Sequence, residues 1–331
     1  MIDRRSLRAG VGATAAARHL GPPGRRSLRV MAWNIYRGGR GVTESDVGVG
    51  PENLRLLLDQ FVAAAADVYL TVETYGSGPA IVEALNQRYG RGTYSGHPIT
   101  RRDDDTDNLW IITRLEVKEV LPRPGAGGLV TDFNLGGLRV RKQGRSFNVF
   151  VTWLQYTDPW IGYLIDENAA AVRAGLTPRH SAAAVAKEDR LQTEQLREML
   201  DVHLPAMLGA NTDPVIIGGD FNTNAASDWD ARWKDEHEHF GLAYPLTATT
   251  VLTDADFVDT YRAAHPHAGN DQGRTWSPLP TERMITPSRI DFVMGKDVEV
   301  RTSWTIDQRL RSHPDGPFTS DHAAVVTDFT L

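Results

Sequence analysis

The sequence predicts an α/β fold in which two mixed β-sheets pack together with helices outside. Three observations lead there. The chain holds many short apolar runs without polar alternation, among them Val215-Ile216-Ile217, Val68-Tyr69-Leu70 and Phe147 to Leu154. Runs of this kind, rich in β-branched residues, read as strands buried on both faces. Some of the runs follow one another directly and others are separated by amphipathic helices. No glycine- or proline-rich linker and no repeat period divides residues 28–331, which reads as one domain.

Residues 1–27 are set apart from that fold. Arg4-Arg5, then Ser6-Leu7 and an alanine-rich patch, resemble a degenerate or trimmed twin-arginine export signal. A disordered basic leader on a cytoplasmic protein is the other reading. Leu28 to Asn34 is the first strand. Pro51 opens a helix through Ala66, with Leu54, Leu57, Leu58 and Phe61 near helical spacing. Asp67 to Val72 is a second buried strand with Glu73 at its end, and Pro79 to Tyr89 a second helix. His97 to Asp107 reads as a polar loop carrying Arg101, Arg102 and Asp103-Asp104-Asp105, either solvated or forming a lip over a substrate.

Asn108 to Thr113, Val117 to Leu121, Phe133 to Val140 and Ser146 to Leu154 read as further strands. Gln155 to His180 reads as irregular and aromatic-rich, with Tyr156, Trp160 and Tyr163. Ser181 to Leu200 has the pattern of one amphipathic helix. Pro214 to Asn224 (PVIIGGDFNTN) is the central strand. Trp229 to Phe240 reads as a polar helix; His237 and His239, two apart, would then point to different faces. Phe257 to Arg262 starts a short helix. Gly273 to Trp276, Arg289 to Met294, Val298 to Ile306 and Ser320 to Leu331 complete the strands.

Composition narrows the chemistry. The 331 residues are 41% hydrophobic with a net charge of −6 and no cysteine. Disulfides and thiolate metal sites are excluded. A metal would sit on oxygen ligands and histidine, which favours Mg²⁺, Mn²⁺ or Ca²⁺. The acidic total argues against a strongly cationic nucleic-acid binder. No apolar run in the sequence reaches the ~18 residues of a membrane span.

One pattern recurs along the chain. Buried strands end in single polar groups: Asn34 after RVMAW, Glu73 after VYLTV, Asp220 and Asn222 after PVIIGG, Asp291 within RIDFV, and Asp321-His322 before AAVVTDF. On the GDFN stretch alone, an Asx turn closing a core strand explains Asp220 and Asn222 equally well. Five such termini together suggest one cleft. Carboxylates without thiolates suit a hard divalent cation, and hard cations bind phosphate oxygens.

With AWNI, VET, GDFN, RIDFV and SDH in this order, the chain resembles the endonuclease/exonuclease/phosphatase superfamily, the DNase I-like fold. DNLWIITR and EDRLQTEQL also resemble its core segments. The resemblance implies a four-layer αββα sandwich and a Mg²⁺- or Mn²⁺-dependent hydrolase acting on phosphodiesters, with a nucleic acid, a phospholipid headgroup or a small phosphate ester as substrate. A monomer is expected. Glu73 and Asp321 would hold the metal with Asn34 beside it. Asp220 would orient or deprotonate the attacking water, and Asn222 would donate to the phosphate. His322, held by Asp291, would act as a base or as a cationic clamp. Arg37 and Arg40, with Arg101 and Arg102, would form a phosphate-binding rim, and Tyr156 would contact substrate. One residue departs from the family pattern: Trp153 stands where members often carry histidine in a Thr-His-Leu context. The leaving group is then acidic enough to need no proton, or Tyr156 or a nearby group takes over the lost acid, or the chain is a catalytically impaired binder of phosphate ligands; Trp153 itself would pack or contact substrate.

Overall fold

The computed structural model describes residues 23–24, 26–40, 50–100, 106–125 and 127–331. Residues 1–22 of the leader and the Arg101 to Asp105 stretch lie outside the described residues.

Two six-stranded mixed sheets form the centre. The first runs β11-β12-β1-β2-β4-β3, built from β1 (Ser27–Asn34), β2 (Val68–Val72), β3 (Ser95–Pro98), β4 (Trp110–Thr113), β11 (Glu299–Ile306) and β12 (Ala324–Thr330). The second runs β5-β6-β7-β8-β10-β9, from β5 (Glu116–Val120), β6 (Leu135–Lys142), β7 (Arg145–Trp153), β8 (Val215–Asp220), β9 (Val258–Asp259) and β10 (Asp291–Lys296). Each sheet has one parallel pair at its middle, β1 with β2 and β7 with β8. All other pairings are antiparallel.

Period-two alternation sorts the strand residues into layers. Leu28, Val30 and Ala32 of β1 share an inter-sheet core with Val68 and Leu70 of β2, Val149 and Val151 of β7, and Ile216 of β8. Met31, Trp33 and Tyr69 point the other way, onto Leu57 and Phe61 of α1 (Gly50–Ala64) and Ile81 and Leu85 of α2 (Gly78–Tyr89). Phe150, Ile217 and Phe292 of the second sheet meet helices on its outer side. These are α5 (Arg190–Glu198), α6 (Leu204–Leu208) and α7 (Ala248–Asp254). The result is the expected four-layer αββα sandwich. No helix among the described residues is long and apolar enough to cross a membrane.

Several local expectations need correction. Gln155 to His180 is not irregular: Ile161–Arg173 forms α3, burying Ile161, Leu164, Ile165, Asn168 and Ala169 at helical spacing. Ser181 to Leu200 is not one helix. It breaks between α4 (Ala182–Lys187) and α5, because the Asp189 carboxylate turns inward. That carboxylate accepts from Thr223 Oγ1 at 2.5 Å, Thr247 N at 2.5 Å and Ala248 N at 2.8 Å. Trp229 to Phe240 forms turns, not a helix. His239 is buried against Trp229 while His237 is exposed, so the two share no site. Gly273 to Trp276 contributes a single bridge, Trp276 to His322, in place of a strand. The short helix after Phe257 is α8 (Thr260–Ala264), capped by Asp259, which accepts from Arg262 N at 3.1 Å.

A buried ion cluster fastens the segment that leads into β10. Arg289 Nε lies 2.9 Å from Asp228 Oδ2 and its Nη2 2.7 Å from Asp259 Oδ2. Arg262 Nε reaches Asp228 Oδ1 at 3.0 Å. Burial alone would raise the Asp228 pKa, but Arg289 and Arg262 hold it below the ordinary carboxylate value. A depressed folded pKa stabilises above the unfolded value, near 4, and that stabilisation is lost as pH falls through the folded value. Asp228→Asn leaves a buried guanidinium short of charge and is expected to cost about 3 kcal/mol at pH 7. Urea unfolding at pH 7 and pH 3 checks this: the gap between wild type and variant should shrink at the lower pH, and an equal gap at both would contradict it.

Candidate active site

The C-terminal ends of the two parallel pairs meet at one edge of the sandwich. β10 and β12 run antiparallel to β8 and β1, so they begin there. The alternation that builds the inter-sheet core continues past its last apolar residue. Asn34 follows Val30 and Ala32, Trp153 follows Val149 and Val151, and Asp220 follows Ile216 and Gly218. Asp291 precedes Val293. Two glycines make the approach possible. A Cβ at Gly218 would stand 2.8 Å from Leu70 Cδ1 and 3.1 Å from Ala32 Cβ of the other sheet. At Gly219 (φ +150°) it would strike the Thr152 carbonyl.

A cleft of about 340 Å³ opens at this edge, lined by Glu73, Asp220, Asn222, Asp321, His322, Arg37, Trp153 and Tyr156 among others. The Asn34 amide spans the two sheets. Its Nδ2 donates to Glu73 Oε1 and to Asp220 Oδ2, each at 3.1 Å, and its Oδ1 accepts from Tyr36 N at 3.0 Å. Glu73 Oε2 accepts from Arg37 N at 3.1 Å, and Glu73 N donates to Asn108 Oδ1 at 2.8 Å. Asp220 Oδ1 accepts from Asn222 N at 2.8 Å. Asn222 Nδ2 donates to Leu154 O at 2.8 Å and Asp220 Oδ2 at 3.2 Å. His322 Nδ1 lies 2.9 Å from Asp291 Oδ2, and its Nε2 lies 3.9 Å from Asp220 Oδ2. Ser320 Oγ, donating to Asn34 O at 2.8 Å, ties this histidine segment to β1.

Left-handed backbone concentrates here. Tyr36, Arg37, Glu73 and Asn222 all have φ between 50° and 53°. Each such non-glycine residue costs on the order of 1 kcal/mol or more and persists only where its surroundings over-determine it. For Asn222 the holders are visible. Trp160 Nε1 donates to its carbonyl at 2.9 Å, and the next residue, Thr223, is clamped by Asp189.

The charges fall into two groups. Burial would lower the His322 pKa, but Asp291, Asp220 and Asp321 more than reverse this and hold it well above the ordinary histidine value. Burial pushes Asp220 up to about 7 against the pull of His322. The ligand atoms of Asp220, Asp291 and His322 lie within 4.8 Å of one another. These three buried groups could hold a metal, although the charged form that the raised His322 pKa favours would compete with a cation for the two carboxylates. The second group is Asp321 with Glu73. Burial pushes Asp321 up to about 7, opposed by His322 and reinforced by Glu73. Near these two carboxylates the positive groups that line the cleft are His322 and Arg37. Their all-oxygen donor set fits a hard divalent cation, which would relieve that repulsion.

All seven residues assigned to catalysis or metal binding from sequence are at this edge: six contact one another directly or through Asn34, and Asp321 lines the same cleft. Arg37, Trp153 and Tyr156 also line it. Arg40 is exposed and absent from the lining. Trp153 is half-buried, edge-on to Phe133 at 5.5 Å, and paired in register with Asp220. Burial raises the Tyr156 hydroxyl, with Asp158 adding, which makes it a weaker acid. Sequence reading missed Tyr36 and Trp276 in the lining and Asn108 behind Glu73. The signal for Asn108 was its place at the head of a strand, the position that marked the other site residues.

Residues 31–322 match the model of the Endonuclease/Exonuclease/phosphatase family. The chain belongs to this family. Its members are generally divalent-metal-dependent phosphoester hydrolases. Solved relatives share the fold at low identity. A family protein from Leptotrichia buccalis is 14% identical, with 92% of this chain and 100% of that chain covered and a TM-score of 0.55. One from Bacteroides thetaiotaomicron is 15% identical, with 92% and 97% covered and a TM-score of 0.52. Truncated TDP2 of Caenorhabditis elegans is 16% identical, with 92% and 98% covered and a TM-score of 0.51. Among curated proteins, an uncharacterised Caenorhabditis elegans protein is 32% identical over 131 residues. That match covers 36% of this chain and 41% of the relative's length.

Proposed function

We propose that the protein is a Mg²⁺- or Mn²⁺-dependent phosphodiesterase. The observation that carries this reading is the convergence of the Asp291-paired His322 and the Glu73 and Asp321 carboxylates on one cleft. Glu73 and Asp321 would hold the cation, with Asn34 beside them. Bound there, the cation supplies polarisation of a phosphoryl oxygen and neutralises developing charge.

The remaining steps belong to the side chains. Asp220, raised toward neutrality, orients a water and takes its proton as the water oxygen bonds to phosphorus. The bond from phosphorus to the ester oxygen breaks, and the alcohol leaves with a proton from solvent. Protonated His322, fixed by Asp291, holds a non-bridging oxygen by a charge-assisted hydrogen bond. Asn222 exchanges its longer bond, to Asp220 Oδ2, for one to the phosphate.

The direct test is turnover of plasmid DNA, RNA, sphingomyelin and bis-nitrophenyl phosphate with Mg²⁺ or Mn²⁺, each with an EDTA control. Metal-dependent release of an alcohol from a diester supports the reading, and no turnover on any diester contradicts it. Glu73→Gln removes an anionic oxygen from the cation. It is expected to shrink the Mg²⁺-induced rise in Tm while leaving the metal-free Tm within a few degrees of wild type. Equal metal-induced shifts in the two proteins would count against Glu73 as a ligand.

Trp153 packs on Phe133 and beside the inter-sheet core, so we assign it to the substrate wall. Trp153→His is then expected to slow an alkyl diester and bis-nitrophenyl phosphate by the same factor. A selective gain on the alkyl diester, approaching the ~10²-fold of general acid catalysis, would instead mark the position of a missing leaving-group acid.

A further inference from the structure

Part of the cleft wall is aromatic, and nothing in the proposed hydrolysis uses it. Trp160, Tyr163 and Trp276 pack edge to face, with centroids 5.2, 4.9 and 5.7 Å apart and interplanar angles of 88°, 72° and 76°. Trp160 is buried and positions Asn222, as described. Tyr163 and Tyr156 line the cleft yet are each 45% exposed, too open for core residues. Trp276 bridges to His322 through the backbone, and both residues line the cleft.

Carboxylates stand near these rings. Glu282 Oε2 accepts from Ser277 Oγ at 3.0 Å, next to Trp276, and Asp158 lies two residues beyond Tyr156. Burial raises the Tyr163 hydroxyl, and Tyr156, Glu282 and Asp321 raise it further. Among the described lining residues no lysine is present, and the Arg37 guanidinium lies over the Tyr36 ring.

This combination discriminates between ester arms. The further phosphates of a nucleic acid strand would meet Glu282 and Asp158 and be repelled. An organic cation is attracted by the ring faces and by the carboxylates together. The cleft's 340 Å³ accommodates a headgroup-sized molecule. Building on the phosphodiesterase reading, we propose that the Tyr156–Tyr163–Trp276 wall with Glu282 binds a quaternary ammonium group carried on one ester arm, so that the substrates are zwitterionic phosphodiesters. The anionic phosphate then faces His322 and the cation site while the ammonium faces the rings.

The test compares nitrophenyl phosphocholine with nitrophenyl 3,3-dimethylbutyl phosphate, its isostere without the ammonium charge, using the metal-loaded protein and bis-nitrophenyl phosphate, also a monoanion, as reference. Wild type is expected to favour the cationic ester in kcat/KM by about tenfold. Tyr163→Leu and Glu282→Gln are each expected to bring that ratio within about twofold of unity. Glu282 is exposed, so its variant tests the pocket even if the tyrosine variant folds poorly. A wild-type ratio near one with bis-nitrophenyl phosphate still cleaved, or a ratio unmoved by both variants, overturns the proposal. A second readout needs no turnover: quenching of tryptophan fluorescence by phosphocholine against 3,3-dimethylbutyl phosphate. Preference for phosphocholine there supports the pocket even if no diester is hydrolysed, in which case the phosphodiesterase reading fails alone. Equal quenching by both overturns the pocket. Glycerophosphocholine and phosphatidylcholine vesicles, run in parallel, distinguish a soluble diester from a lipid headgroup as the source.

Discussion

The site depends on the close approach of the two sheets at Gly218. Because no side chain occupies that position, Ala32 and Leu70 come within contact of the β8 backbone. Only at that separation can one amide, Asn34, reach Glu73 on its own sheet and Asp220 on the other. A side chain at 218 would crowd Leu70 Cδ1, Ala32 Cβ and the Phe292 carbonyl, so its neighbours would have to shift. The core packing and the geometry of the cleft therefore share one contact.

That geometry explains why so many polar groups are buried at one edge. Each sheet ends its central parallel pair there, and polar groups at the carboxyl ends of strands face a crevice, not a core. Desolvation is then divided. The Asp291 and Asp220 carboxylates favour the charged form of His322 between them, whereas burial and Glu73 raise the Asp321 carboxyl. The strained backbone at Tyr36, Arg37, Glu73 and Asn222 is held by the hydrogen bonds that surround these charges. A solvated loop would not keep four left-handed non-glycine residues in one place.

Much of this was legible in the sequence. Unalternating runs identified the central strands, and the polar residue closing each run identified the site, because a buried strand rarely ends in an unpaired carboxylate. The glycines of GGD signalled close approach, and the structure divides that role: Gly218 serves the contact between sheets and Gly219 the contact within one. The failures have local causes. α3 was hidden by its aromatic neighbours, although Ile161, Leu164, Ile165 and Ala169 keep helical spacing. The break at Asp189 depends on Thr223, Thr247 and Ala248, between 34 and 59 residues away, and no local pattern reports it. The aromatic wall is assembled from two distant segments, so Trp276 could not be joined to Tyr163 from spacing alone.

The central claim is that the cation belongs to Glu73 and Asp321 while His322 keeps its proton. A crystal structure with Mn²⁺ and inorganic phosphate, read by anomalous scattering, tests it most directly. The account predicts one strong peak about 2.1 Å from carboxylate oxygens of Glu73 and Asp321, with a phosphate oxygen in hydrogen-bond reach of His322 Nε2. A peak ligated by Asp220, Asp291 and His322, with Glu73 outside the coordination sphere, would contradict it.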